Sequence, residues 1–278
     1  MKKFKKYKIG ITGHDGVLGS HLLKYIEKFG VSKFSGDIRK KNDIKKWLEG
    51  NNFSFIFHLA AVVSTKHSLE NKQHTKNVNF KGTKNLVDQI NISCKKKIWL
   101  FYSSTSHVYN FSQKKLSESD LVKPISFYGK TKLLGERYII KNCKNINYCI
   151  GRIFSFTSKN QNKNFLIPGL INKIKNDKKI VLNNINHYRD FLTLEDVCNV
   201  IKILFIKKQI GIFNICSGKK IKLINIVKGL NLFKKKIIIK KQNKLTTLVG
   251  SNYKIKKLGW RVSRGNYISY LQKVFLNL

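Results

Sequence analysis

Ile9-Gly10-Ile11-Thr12-Gly13-His14-Asp15-Gly16-Val17-Leu18-Gly19-Ser20 sets four glycines, at 10, 13, 16 and 19, between an apolar strand and an amphipathic helix. The whole chain has only 18 glycines in 278 residues, so the clustering carries meaning. A tight strand-to-helix turn needs residues without a side chain where the backbone must approach a bound group. The start of the following helix then offers unpaired N–H donors and a dipole that favours a pyrophosphate. His14 and Asp15 read as turn formers or as contact residues, since Asp tolerates unusual backbone geometry.

Outward from this loop, apolar periodicity alternates between strand and helix. Strands are expected over 5–12, 32–37, 53–61, 98–103 and 147–154, and helices over 17–29, 43–49, 75–92 and 127–141. Strands alternating with helices of this length require right-handed crossovers, giving a doubly wound α/β fold with a parallel sheet covered on both faces. Beyond about residue 155 the pattern is less regular: a helix over 167–176, short strands near 180 and 188, and a helix over 194–206. Thr193 and Asp196 form a capping box for that last helix. A strand over 211–215 returns to the main sheet. The division expected is a dinucleotide-binding part, 1–155 with 189–216 returning to it, and a smaller lobe of 156–188 and 217–278 at the sheet's carboxyl edge, where such sheets bind ligands.

Composition bounds the function classes. With 56 Lys+Arg against 14 Asp+Glu the net charge is +42, yet 42% of residues are hydrophobic, so the chain folds rather than remaining disordered. Fifty of the basic residues are Lys and six are Arg, and lysine is spread through every segment, with modest clusters at 2–8, 95–97 and 234–241. A solvated lysine face accounts for this, with weak salt-dependent polyanion binding as a side effect. No zinc finger, basic zipper or aromatic RNA-binding strand accompanies the charge, so no specific nucleic acid is expected. No apolar run approaches a membrane span, and the basic start leads into a glycine-rich segment; a cytoplasmic protein without membrane contact is expected. The five cysteines (Cys94, Cys143, Cys149, Cys198, Cys216) form no CxxC pair and are odd in number. They read as reduced core thiols, with no metal site.

Three further motifs lie at strand or helix ends. His58-Leu59-Ala60-Ala61 holds both alanines of the protein, and small side chains at a strand's carboxyl end let a flat ligand pass close to the backbone. Asp37, after Gly36, can accept a hydrogen bond from adenine or ribose, or cap a turn. Ser103-Ser104-Thr105-Ser106-His107 ends the fourth strand, and Tyr128 and Lys132 stand i and i+4 on the next helix. A cation near a phenol favours phenolate and general acid/base work. Eleven tyrosines among 50 lysines give about two Tyr-x-x-x-Lys spacings by chance, and there are two, the other being Tyr253 with Lys257. The context after a hydroxyl-rich strand end gives the first its weight.

Together, Thr12-Gly13-x-x-Gly16-x-x-Gly19, His58-Leu59-Ala60-Ala61, Asn79-Phe80-Lys81-Gly82-Thr83, Ser103-Ser104-Thr105 and Tyr128-Gly129-Lys130-Thr131-Lys132 resemble the extended short-chain dehydrogenase/reductases, and within them the NAD-dependent epimerase/dehydratase group acting on nucleotide sugars. Arg189-Asp190-Phe191, Phe213-Asn214-Ile215 with Ser217-Gly218, and Lys256-Lys257-Leu258-Gly259-Trp260 continue the resemblance in order along nearly the full chain. It implies a Rossmann fold with a smaller C-terminal substrate-binding lobe, a site for NAD or NADP, a nucleotide-sugar substrate for surface polysaccharide precursors and a homodimer through the helices near 75–92 and 127–141. It implies a catalytic triad in which Tyr128 exchanges a proton with a sugar hydroxyl or ketone. Lys132 would hold the cofactor ribose and depress the phenol, and Thr105 would bond the reacting oxygen. The cofactor would lie on Gly13, Gly16, Val17, Leu18, Gly19, Asp37, Ile38, Leu59, Ala60, Ala61 and Asn79, besides Tyr128 and Lys132. Arg189 would contact the substrate diphosphate, the other reading being an ion pair with Asp190 or Glu195.

Departures narrow the reaction. Ser106-His107 stand where 4,6-dehydratases of this group carry an acidic pair, which disfavours dehydration. His107 matches a proton donor of GDP-fucose synthase-like epimerase/reductases and, if strand geometry persists, shares a face with Thr105; it is a candidate acid/base residue or a structural histidine. The second histidine of that group would align near Phe165, leaving a two-base epimerase incomplete. The short stretch between Gly19 and Asp37 lacks a ribose-binding acid, and Lys33, Arg39 and Lys40 lie nearby, so NADP stands beside NAD. The reading is thus an NAD(P)-dependent epimerase or ketosugar reductase, with a reductase of a non-sugar carbonyl, or a non-catalytic cofactor- or polyanion-binding protein, as alternatives.

Overall fold

The computed structural model describes residues 8–232, 234–241, 244–262 and 266–276. Residues 5–7 of the first expected strand and most of the lysine cluster at 2–8 lie outside them.

The elements follow in chain order as β1 (Ile9–Thr12), α1 (Val17–Ile26), β2 (Val31–Lys33), α2 (Lys41–Glu49), β3 (Phe55–His58), α3 (Thr65–Glu70), α4 (Lys72–Lys76), α5 (Thr83–Ser93), β4 (Ile98–Thr105), α6 (Phe127–Lys141) and β5 (Ile146–Ile153). Next come β6 (Ser155–Thr157), α7 (Leu166–Asn176), β7 (Ile180–Asn183), β8 (His187–Arg189), β9 (Phe191–Thr193), α8 (Leu194–Ile206) and β10 (Gly211–Ile215). The C-terminal part is β11 (Ile221–Lys222), α9 (Leu223–Leu230), β12 (Ile237–Lys241), β13 (Thr246–Leu248), α10 (Tyr253–Lys257) and α11 (Tyr267–Leu276).

Six strands form one parallel sheet in the order β10-β5-β4-β3-β1-β2, the doubly wound α/β arrangement. The period-two alternation of each strand divides its side chains between two cores. Phe55, Phe57, Trp99 and Phe101 face α1 and α8, packing with Leu22, Ile26, Val197, Ile201 and Phe205. Ile56, Leu100, Tyr102 and Ile150 face α2, α5 and α6, packing with Ile44, Leu48, Leu86, Val87 and Ile139. In a chain so poor in alanine, aromatic rings fill the first core: Phe205 meets Phe55 and Phe57 edge-on at 4.9 and 5.5 Å between ring centres. Each such ring contributes roughly 1.5–3 kcal/mol through burial.

A third core joins α7, α9 and α11 to β7, and three small sheets, β11-β8-β13, β12-β7 and β6-β9, flank the main one. α8 begins as expected, with the Thr193 hydroxyl accepting from the Asp196 N–H at 3.0 Å.

The third strand is Phe55–His58 rather than 53–61, so Leu59, Ala60 and Ala61 lie beyond its end, and three further elements differ from expectation. The second strand is Val31–Lys33 rather than 32–37. Beyond it Phe34 turns in against Trp47, and the Asp43 carboxylate accepts from the Asp37 N–H at 2.9 Å, pulling the chain out of the sheet towards α2. The helix expected over 75–92 is a run of α4, a π-helical turn at Asn77–Gly82 and α5. The fourth strand extends to Thr105, and Ser106–Val108 then form a 3-10 turn. His107 therefore does not share a strand face with Thr105 by simple alternation. Three cysteines are buried and Cys94 and Cys143 are half-buried, all of them free.

Candidate active site

The glycine turn closes against the end of β3. Gly13 has φ +70°, a region that favours glycine, and a Cβ there would stand 2.6 Å from the Ala60 nitrogen. A Cβ on Gly19 would collide with the Gly13 carbonyl oxygen. Gly16 caps α1 without a side-chain hydrogen bond, and no acidic residue occupies the first turn, so the leading N–H groups of Val17 and Leu18 face no competing carboxylate. The Nδ1 of His14, in the same loop, is buried without a hydrogen-bond partner. A cradle that a Cβ would fill, open N–H donors and an orphaned ring nitrogen fit a dinucleotide's phosphates.

The end of β3 is braced from two sides. His58 bonds Thr12 Oγ1 at 2.8 Å and Thr83 Oγ1 at 2.9 Å. Burial and the Lys132 charge push its pKa down to about 3, so it is a neutral strut. Asn79, on the π-helical turn, accepts from the Val62 N–H and donates to the Val62 carbonyl and to Thr131 Oγ1. Its amide fixes the loop after Ala61 and ties it to α6. Asp37 is engaged by Arg39, whose guanidinium donates to both carboxylate oxygens and holds its pKa down at about 2. Ile38 is buried beneath Gly82.

Thr105, His107, Tyr128 and Lys132 converge where β4 ends and α6 begins. Ser126 caps α6 by accepting from the Gly129 N–H, and its hydroxyl lies 3.0 Å from His107 Nδ1. Thr105 Oγ1 accepts from the His107 N–H at 3.2 Å. The His107 and Tyr128 rings are edge-on, 6.2 Å apart. Burial pushes Tyr128 up, opposed by the Thr105 side chain, so the phenol is protonated at neutral pH rather than depressed by the lysine. Burial also pushes Lys132 down to about 7, partly offset by the Glu136 charge, and its Nζ lies 4.1 Å from the centre of the Tyr102 ring. His107 falls to about 4 through burial and the Arg189 charge, and at neutral pH it is a proton acceptor.

Arg189 borders this corner. Its NH1 donates to the carbonyls of Tyr188 and Thr246 and its NH2 to Thr246 Oγ1, while the guanidinium lies over Phe111 at 5.2 Å. Among the described residues no carboxylate stands within 4.0 Å of it. Asp190 turns away, accepting from Ser217 N and Oγ and from Gly218 N, so the ion-pair reading fails. Burial pushes Arg189 down to about 10, and it remains charged at neutral pH. The sequence reading missed Thr246, Phe111 and the pair of Glu136 with Arg152, and it gave Asp190 only as an alternative ion-pair partner of Arg189. Glu136 carried a signal, being one of 14 acids and four residues beyond Lys132.

No described helix is long and apolar enough to cross a membrane. The family model for the NAD dependent epimerase/dehydratase family matches residues 9–216. GDP-6-deoxy-D-talose 4-dehydrogenase of Aggregatibacter actinomycetemcomitans is 31% identical over 221 residues, 76% of this chain and 74% of its own. MoeE5, solved in complex with UDP-glucose and NAD, superposes with a TM-score of 0.84 at 20% identity over 97% of both chains. RMD from Pseudomonas aeruginosa, solved with NADPH, gives a TM-score of 0.86 at 18% identity over 98% of both. The two structures show the shared fold.

Proposed function

Since the chain belongs to the NAD-dependent epimerase/dehydratase family, an enzyme family of NAD(P)-dependent oxidoreductases and isomerases, we propose that it oxidises or reduces a ring carbon of a nucleotide sugar, as an epimerase or a ketosugar reductase. One observation supports this most: the half-buried guanidinium of Arg189, with no carboxylate partner among the described residues, borders the corner formed by Thr105, His107, Tyr128 and Lys132. An anion seat beside a protonated phenol suits a substrate that is a diphosphate at one end and a carbonyl at the other.

The nicotinamide, when bound, supplies the hydride donor or acceptor. Gly13, Gly16, Val17, Leu18 and Gly19 hold the dinucleotide's pyrophosphate. Leu59, Ala60 and Ala61 border its path, with Asn79 fixing their loop, and Asp37 and Ile38 lie towards the adenosine. Tyr128 gives its proton to the sugar ketone oxygen in reduction and recovers it in oxidation. Thr105 holds that oxygen, and Lys132 orients the ribose and offsets the negative charge left on the phenolate. His107, neutral at working pH, accepts a proton from a sugar carbon or hydroxyl. Arg189 takes the diphosphate bidentately. The dinucleotide is NAD or NADP: Lys40 lies nearby, but Arg39 is taken up by Asp37 and Lys33 by Glu27. The reading extends to the division into 1–155 with 189–216 and 156–188 with 217–278, to a cytoplasmic location, and to a homodimer through 75–92 and 127–141, which a solution mass measurement tests.

Calorimetric titration with NAD, NADH, NADP and NADPH, each with and without UDP, dTDP, GDP and CDP, tests the reading. Tight, barely exchangeable NAD(H) with one preferred nucleoside diphosphate identifies an epimerase, exchangeable NADPH a reductase. Absence of dinucleotide binding overturns the proposal.

A further inference from the structure

Behind Lys132 lies a buried ionic network whose members are drawn from strands, helix and loop. Glu136 stands one helical turn beyond Lys132 on α6, is buried, and accepts from the Ser104 hydroxyl and from Nε and NH2 of Arg152 on β5, the latter at 2.7 Å. Arg152 NH1 donates to the Tyr109 hydroxyl at 2.9 Å and to the Glu118 carbonyl, and Tyr109 in turn donates to Asn214 on β10. Ser104 immediately precedes Thr105. The carboxylate thus touches the strand that presents Thr105 and belongs to the helix that presents Tyr128 and Lys132.

Burying a carboxylate and a guanidinium together costs desolvation, which an apolar pair in the same place would avoid. The hydrogen bonds from Arg152 and Ser104 to the Glu136 carboxylate offset part of that cost. The titratable groups around Lys132 are His58 on β3, Tyr102 on β4, and Tyr128 and Glu136 on α6 itself. His58 is neutral and the two phenols are protonated at neutral pH; among the described residues the carboxylate of this set is Glu136, paired on its far side with Arg152.

We propose that Glu136 is a positioning residue: its carboxylate, fixed by Arg152 and Ser104, holds α6 against the ends of β4 and β5 and stands as the counter-charge of the Lys132 ammonium. This rests on the reading of Tyr128 and Lys132 as the reacting pair. Glu136 touches neither substrate nor cofactor and acts through Lys132.

The test is direct titration of Lys132 by NMR in protein labelled with 13C at the lysine ε carbon, the resonance identified by its loss in Lys132→Arg. Glu136→Gln, similar in shape but uncharged, lowers the Lys132 midpoint by about one pH unit or more, and Glu136→Asp restores most of that shift. If Glu136→Gln fails to fold, Arg152→Gln carries the test with opposite sign: without the guanidinium, Glu136 faces Lys132 alone and the midpoint rises. A Lys132 midpoint unmoved in a folded variant overturns the proposal. NADH binding by the unsubstituted protein, followed by fluorescence, is measured alongside. Absence of binding of NADH and, in the same assay, of NADPH overturns the reading of the reacting pair, and the titration still reports on Glu136.

Discussion

Gly13 is pressed against Ala60, its missing Cβ occupying space 2.6 Å from the Ala60 nitrogen, in a conformation of φ +70°. This contact closes the turn between β1 and α1 on the end of β3, and it joins the glycine loop to the two alanines in one surface. Gly13→Ala is therefore expected to strain the backbone by about 1–2 kcal/mol from φ alone, with a further cost for displacing β3. It should lower the thermal midpoint and weaken NADH or NADPH binding at least about tenfold, roughly 1.4 kcal/mol. Unaltered dinucleotide affinity in Gly13→Ala would place the cofactor elsewhere.

Tyr128 is half-buried and protonated, with Thr105 at its side. Removing only the hydroxyl, as in Tyr128→Phe, takes away the proton donor while keeping the ring that packs against His107. Turnover of the nucleotide sugar should fall by about 100-fold or more, with dinucleotide affinity and melting temperature close to those of the unsubstituted protein. Retained turnover would remove Tyr128 from the reaction.

His58 ties acid stability to the site. Its folded pKa of about 3 lies below the value near 6.5 of an exposed imidazole, so between those values the unfolded chain binds a proton that the folded chain refuses. Its contribution is fully present above pH 6.5 and is lost as pH falls. From pH 6.5 to 5 the loss is about 2 kcal/mol. Denaturant unfolding at pH 7 and pH 5 measures it. His58→Asn should be less stable at pH 7, because Thr12 and Thr83 lose their shared partner, and should show a weaker loss on acidification. Equal pH dependence in the two proteins would assign the acid sensitivity to other groups.

The doubly wound sheet was legible because each strand alternates faces: Phe55 and Phe57 against Ile56, Trp99 and Phe101 against Leu100. α8 was legible to the residue because Thr193 caps it, and α6, read over 127–141, starts where Ser126 caps it in the structure. The end of β2 was not, since Phe34 leaves the sheet for Trp47, a contact 13 residues away that no local pattern encodes. The protonation of Tyr128 was likewise hidden. The i, i+4 spacing places a cation near a phenol, but burial, which depends on the whole fold, outweighs it. Glycine loops and helix caps are local and read directly; the partners of Arg189 and Glu136 come from β13, β5 and β4, distant in the chain.

Arg189 separates a binding role from a structural one. Its guanidinium is held by Tyr188, Thr246 and Phe111, all neutral, so the fold carries a half-buried positive charge without a compensating carboxylate among the described residues. A charge kept for stability would be paired, since an unpaired buried ion opposes folding. Arg189→Ala should accordingly leave the melting temperature of the free protein unchanged or raise it, despite the loss of three hydrogen bonds. It should weaken binding of the preferred nucleoside diphosphate by roughly 10- to 150-fold, the worth of about 1.5–3 kcal/mol for hydrogen bonds to a charged group. Arg189→Lys keeps the charge but not the planar fork and should recover part of that affinity. NADH and NADPH binding should be unaffected in both variants. Calorimetry of each variant with the four nucleoside diphosphates reads all of this at once. A large fall in melting temperature with unchanged diphosphate affinity would make Arg189 a strut between β8 and β13 and move the anion seat away from it.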